Sequence, residues 1–170
     1  MHDELCRSLR RLLARCGGLS GSNMDLERSP LALPFPGMPL VDGVRLRVAC
    51  ARYKHWDRAD LTFAELAPGT SLAGVFTKSA CASSEVELGR EQVKAGAARA
   101  LVVNAGNSNA FTGYRGREAV DAIRRQVAEA LGCATGDVLV SSTGVIGVPL
   151  PKDRARAGIE AALAAEECGW

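Results

Sequence analysis

A run of small hydroxyl residues and a glycine follows a short apolar segment in the later part of the sequence. Residues 141–144, Ser-Ser-Thr-Gly, come directly after the apolar run at 138–140. A turn of this composition can direct a hydroxyl and a backbone N–H toward one point, where two donors stabilise a developing oxyanion. Thr143 and Gly144 are the candidate donors. Ordinary turn chemistry is the alternative, because serine, threonine and glycine also form turns that bind nothing.

A second polar segment, residues 104–113, follows the apolar run at 100–103. It contains Asn104, Asn107 and Asn109, and each of these side chains offers two donors and an acceptor. Two interpretations are open. The amides bond the backbone of their own loop, or Asn107 and Asn109 form a polar wall beside Thr143 that contacts a substrate.

The sequence does not contain a complete catalytic set around these candidates. His2 and His55 are the only histidines, so neither a Cys/His pair nor a Ser/His/Asp triad is indicated. There is no Cys-x-x-Cys pair, no phosphate-binding G-x-x-x-x-G-K-[ST] and no G-x-G-x-x-G, so we expect no metal and no cofactor. The candidate corner can stabilise charge, but it lacks a nucleophile.

The elements that would position these residues follow from hydrophobic periodicity. Strands are predicted at residues 44–53, 61–66, 72–77, 86–88, 100–103 and 138–140. Helices are predicted at residues 1–16, 89–97, 114–131 and 152–167. This order predicts an α/β domain, layered in the α+β manner, with its sheet covered by helices. Residues 1–43 are predicted to be a helix and an extended, proline-rich connector, and residues 44–170 one α/β domain.

The composition argues against several classes of partner. The net charge is 21 − 19 = +2 and aromatic residues make up 5% of the sequence, so nucleic acid is not expected to bind. No uncharged stretch reaches the roughly 20 apolar residues that cross a bilayer, so no membrane association is expected. The six cysteines are scattered, which favours reduced thiols in a cytoplasmic protein.

Three segments resemble those of one family. Residues 72–78 (LAGVFTK) are similar to its A-G-V-F-T strand, and residues 101–113 (LVVNAGNSNAFTG) to its V-V-N-S-G-N-A-N-A-C-T-G loop. Residues 139–147 (LVSSTGVIG), with the Pro-Leu-Pro at 149–151, resemble its S-T-G-V-I-G-x-x-L-P segment. The family is the ornithine acetyltransferases, also called bifunctional arginine biosynthesis proteins. The resemblance covers about residues 41–167.

The resemblance implies a self-cleaving precursor that yields an α chain and a β chain, assembled as an α2β2 heterotetramer. The new N-terminal threonine of the β chain is the nucleophile, with its own amine as base. It takes acetyl from N-acetylornithine and passes it to glutamate, and some members also use acetyl-CoA as acetyl donor. The α chain supplies the oxyanion hole through a Thr-Gly pair, which matches Thr143 and Gly144 here.

The sequence departs from the family pattern in two places. Phe111 stands where the family often has cysteine, and nothing after Leu163 resembles the cleavage segment. We therefore expect the nucleophile to lie outside these 170 residues and the chain alone to be inactive. The alternatives are a non-catalytic binding or regulatory domain that kept the fold, a truncated inactive fragment, or a related self-cleaving peptidase with an N-terminal nucleophile.

Overall fold

The computed structural model describes residues 29–168, except residues 32, 34, 35, 38 and 57. The helix predicted at residues 1–16 lies outside the described residues. The described residues between 29 and 43 contain no helix or strand. The division into a connector up to residue 43 and a domain from residue 44 stays a prediction.

Four strands form one mixed sheet in the order β1-β2-β3-β4. The strands are β1 (Val44–Ala49), β2 (Leu61–Leu66), β3 (Ala100–Asn107) and β4 (Val138–Val145). The pairs β1–β2 and β2–β3 are antiparallel, and β3–β4 is parallel. The parallel pair requires a crossover connection, and the helix Gly113–Leu131 between β3 and β4 supplies it.

Three helices cover one face of this sheet: α1 (Ser84–Gln92), α2 (Gly113–Leu131) and α3 (Lys152–Ala164). A single core contains strand residues Phe63, Val102 and Val138 together with Ile123 of α2 and Ile159 of α3, each at most 2% exposed. Because alternate strand residues point to opposite faces, this shared core places the helices on the same side of the sheet. The prediction of an α/β sheet covered by helices is confirmed.

The opposite face of the sheet is also apolar. Its side chains alternate in register with the core residues, and most of the larger apolar ones are only half-buried. They include Leu46, Val48, Leu66, Leu101, Val103 and Leu139. None of the three helices covers this face.

Two sequence expectations between β2 and β3 are wrong. Residues 72–80 form no strand: Ser71 makes one isolated bridge with Ala97, and Val75 is 99% exposed. The segment has strand composition, but no strand among the described residues pairs with it. The strand predicted at residues 86–88 is part of α1, which begins at Ser84, five residues before the predicted helix.

The structure also changes the predictions for β4 and for the cysteines. Residues 141–144 continue β4 and do not form a turn, since they stay paired with β3. Cys50 is disulfide-bonded, whereas Cys81, Cys133 and Cys168 are free, so the expectation of reduced thiols is wrong at Cys50.

Candidate functional site

The candidate donors lie where the parallel strands β3 and β4 run beyond the apolar core. Val102 opposite Val140 is the last apolar pair on the helix-covered face, and Asn104 lies opposite Ser142 one pair further on. The register then pairs Ala105 with Thr143, Gly106 with Gly144 and Asn107 with Val145. The carboxyl ends of adjacent parallel strands are a common position for ligand sites in α/β sheets.

Thr143 and Gly144 are both exposed in this chain. Strand alternation places the Thr143 side chain on the face opposite the helices, because Ser142 faces them. Ser108 N–H donates to Val145 O at 2.9 Å, so the backbone polar groups of Val145 face β3. Thr143 and Gly144 are consecutive residues of β4, so the Thr143 hydroxyl and the Gly144 N–H are adjacent donors.

A close approach between two glycines shapes this strand end. Gly106 and Gly144 have φ values of +132° and +125°. A β-carbon at position 144 would lie 2.5 Å from Gly106 O and 2.8 Å from its Cα. Only glycine tolerates both the dihedral angle and the contact. The motif match made Gly144 a candidate donor, but it did not predict this packing requirement.

The side chains of Asn107 and Asn109 point into the protein, and each residue is 1% exposed. Asn107 Nδ2 donates to the carbonyls of Val148 and Pro149, at 3.2 and 3.4 Å. Asn109 Nδ2 donates to Gly116 O at 3.1 Å. Asn107 Oδ1 has no hydrogen-bond partner among the described residues. The amides thus bond within the chain, and substrate contact by these two residues stays a prediction.

Sequence reasoning missed a buried carboxyl beside the site. Glu85, on the first turn of α1, is 6% exposed. Its Oε1 accepts hydrogen bonds from Asn109 Nδ2 at 3.0 Å and from Ser142 Oγ at 2.5 Å. The predicted strand at residues 86–88 hid this role. A signal for a helix start was present in the sequence, because two serines followed by Glu85 and Glu87 are typical of a first helical turn.

A cavity of about 490 Å³ lies between residues 80–84 and the amino-terminal end of α2. Asn109, Phe111 and Arg117 are among its lining residues, whereas Thr143 and Gly144 are not. Both candidate donors are exposed on the surface of this chain. Within the described ranges, no group of three or more His, Cys, Asp or Glu side chains is placed to hold a metal ion. None of the helices described combines the length and apolar character needed to cross a bilayer.

The architecture is a mixed four-stranded α/β layer of the ornithine acetyltransferase type. The solved ornithine acetyltransferase of Mycobacterium tuberculosis, complexed with ornithine, matches it with a TM-score of 0.71 and 31% identity, over 76% of this chain and 69% of that one. The arginine biosynthesis bifunctional protein ArgJ of Bacillus halodurans matches with a TM-score of 0.65 and 31% identity, over 69% of this chain and 62% of that one.

The chain belongs to the ArgJ family, whose model matches residues 45–168. It is 57% identical over 143 residues to the arginine biosynthesis bifunctional protein ArgJ of Zymomonas mobilis, and the aligned residues cover 84% of this chain and 35% of the relative. It is 47% identical over 146 residues to the protein of that name from Gluconobacter oxydans, and the aligned residues cover 85% of this chain and 34% of the relative. The chain thus spans about a third of the length of these curated relatives.

Proposed function

We propose that this chain is the α-chain portion of an ornithine/glutamate N-acetyltransferase of arginine biosynthesis. In this role the Thr143 hydroxyl and the Gly144 N–H form the oxyanion hole, and a threonine on a β-chain partner is the nucleophile. The observation that carries the proposal is the exposure of these two adjacent donors at the end of β4, in a chain of the ArgJ family.

The proposed reaction is a ping-pong acetyl transfer. The partner's threonine Oγ attacks the acetyl carbonyl carbon of N-acetylornithine and passes its proton to its own amine. The carbonyl oxygen becomes negative and accepts hydrogen bonds from Thr143 and Gly144. Collapse of this intermediate breaks the C–N bond, and the protonated threonine amine gives its proton to the departing nitrogen of ornithine. The amine of glutamate then attacks the acetyl-threonine carbonyl, the C–Oγ bond breaks, and the proton of the attacking amine passes through the threonine amine to Oγ. Acetyl-CoA is a further proposed donor, and no cofactor is required by this scheme.

The uncovered apolar face of the sheet supports the proposal that a partner polypeptide packs against this chain. Half-buried apolar residues such as Leu101, Val103 and Leu139 lie on a face that none of the described helices covers. A sheet with two apolar faces is stable when a second layer covers each. The relatives are about three times as long as the matched region, which leaves ample chain for that layer. An α2β2 heterotetramer in the cytoplasm is part of the proposal.

The test is co-expression of this chain with the portion of the Zymomonas mobilis relative that lies outside the matched region. We expect the two polypeptides to copurify and to transfer acetyl from N-acetylornithine to glutamate, with either polypeptide alone inactive. A parallel assay with acetyl-CoA decides whether it serves as donor. A folded chain that remains a monomer and yields no transfer would instead support a non-catalytic binding domain.

A further inference from the structure

We propose that Glu85 is a positioning residue for the oxyanion hole, acting through the Ser142 hydroxyl. This inference rests on the proposed function of Thr143 and Gly144. Glu85 does not reach the reacting atoms. It holds the strand segment that carries the two donors.

The network around Glu85 joins four parts of the fold: α1, β3, the end of β4 and the β3–α2 loop. Two acceptor oxygens flank the Ser142 hydroxyl: Glu85 Oε1 on α1 at 2.5 Å and Asn104 Oδ1 on β3 at 2.7 Å. Asn104 is fixed in turn, because its Nδ2 donates to Asn107 O at 3.0 Å. Asn109 connects the β3–α2 loop to the same carboxyl oxygen at 3.0 Å. A side chain on α1 therefore sets the position of the end of β4.

The position of Ser142 determines the position of both donors. Ser142 and Thr143 are consecutive strand residues that point to opposite faces, so a rotation of one about the strand axis rotates the other. The next backbone N–H along the chain is that of Gly144. On its outer side, β4 has no neighbouring strand among those described. The Ser142 hydroxyl, shared between Glu85 and Asn104, thus restrains this strand end on the helix side, while Ser108 Oγ donates to Val145 O at 3.1 Å at its last residue.

The buried polar cluster around Glu85 is not the arrangement that would make the folded state most stable. Glu85 is 6% exposed, and its Oε2 has no hydrogen-bond partner among the described residues. A buried polar atom without a partner destabilises the folded state, and apolar replacements of buried polar groups are often neutral or stabilising. The apolar layer at Val102 and Val140 could have continued at Asn104 and Ser142. The polar layer instead occurs beside the candidate oxyanion hole.

The chain contains a matched control on the same helix. Gln92, at the other end of α1, is 7% exposed and also bonds to β4, since its Nε2 donates to Val138 O at 2.7 Å. Glu85→Met and Gln92→Met therefore remove the same kind of α1–β4 link, one beside the donors and one at the start of the strand. A purely structural role would make the two variants alike.

The experiment measures kcat, KM and thermal midpoint for the assembled acetyltransferase. Glu85→Met is expected to lower kcat by about tenfold or more with KM unchanged, because a misplacement of about 1 Å can cost two decades in rate. Gln92→Met is expected to leave kcat unchanged. Glu85→Gln keeps an acceptor oxygen and is expected to retain the wild-type kcat. If Glu85→Met does not assemble, Ser142→Ala, which removes the same link from the β4 side, takes its place in the comparison with Gln92→Met. Equal kcat for Glu85→Met and Gln92→Met would overturn the inference.

A double-mutant cycle tests whether the network acts through Thr143. Ser142→Ala is expected to lower kcat in the wild-type background and to have a smaller effect in the Thr143→Ala background, because coupled residues are not additive. The same factor in both backgrounds would refute the coupling. If Thr143→Ala itself leaves kcat unchanged, the proposed function fails. If Thr143→Ala lowers kcat while Ser142→Ala does not, only the positioning role fails.

Discussion

Replacement of Gly144 by alanine tests the described end of the sheet most sharply. Gly144 has a φ of +125°, and a β-carbon there would lie 2.5 Å from Gly106 O and 2.8 Å from Gly106 Cα. Both contacts are with backbone, so the neighbour cannot move aside by a change of rotamer. The strand end must either open or deform.

The magnitude follows from two contributions. A non-glycine residue held in such a backbone conformation costs about 1–3 kcal/mol. Overlap with packed neighbours costs about a further 1–3 kcal/mol. We therefore expect Gly144→Ala to lower the free energy of unfolding by about 2–6 kcal/mol, a large part of the roughly 5–15 kcal/mol that stabilises a typical domain.

The matched control is Gly147→Ala. Gly147 also has a positive φ, +80°, but a β-carbon there would have no other heavy atom within 4 Å. Only the backbone contribution remains, about 1–2 kcal/mol. The assay is equilibrium urea unfolding of the complete chain, followed by circular dichroism. A Gly144→Ala variant no less stable than Gly147→Ala would refute the pairing of Gly106 with Gly144.

Two further variants test the packing and charge of the rest of the domain. Gly158→Ala should destabilise the folded state by about 1–3 kcal/mol, because the new β-carbon would overlap Ala51 Cβ and lie 3.2 Å from Leu61 Cδ1. This cost outweighs the helix propensity of alanine. An increase in thermal midpoint would contradict the close packing of α3 on the sheet. Burial raises the pKa of Glu65, but its hydrogen bonds with Arg47 and Arg45 and their charges outweigh burial and lower it below 4.5. The stabilisation by Glu65 is thus present above about pH 4.5 and lost as the pH falls through the lowered pKa, so the stability difference from Glu65→Gln should shrink as the pH falls below about 4.5. A difference that stays constant with pH would count against the ion pairs of Glu65.

Elements with strong, locally determined patterns could be predicted from the sequence. Strand β2 has its predicted bounds, Leu61–Leu66, and α2 begins one residue before the predicted start. The apolar residues of α2 repeat at helical spacing, and Gly132 ends the helix with a positive φ of 61°. These signals need no information about distant parts of the chain.

The errors arise where tertiary pairing decides the structure. Residues 141–144 have turn composition, yet parallel pairing with β3 keeps them extended. In α1, Val86 and Leu88 suggest strand alternation, whereas the residues that become buried, Glu85, Leu88 and Gln92, recur at helical spacing. Residues 72–77 have strand composition without a partner strand among the described residues. In each of these cases, local composition does not predict which element, if any, packs against or pairs with the segment.

The candidate site was predictable in part. The motif match predicts Thr143 and Gly144 as the donors, and the structure leaves both residues exposed near the end of β4. The network of Glu85, Asn104 and Ser142 joins residues up to 57 positions apart in the sequence. Local periodicity carries no information about such contacts.

The most direct test of the central claim compares Thr143→Ala with Ser141→Ala in the assembled enzyme. Both hydroxyl residues are exposed on the same face of β4, two residues apart, and only Thr143 is proposed to contact the oxyanion. We expect Thr143→Ala to lower kcat by about 10- to 1,000-fold, as loss of an oxyanion-hole donor does, and Ser141→Ala to leave it unchanged. An assembled Thr143→Ala enzyme with the wild-type kcat would contradict the account.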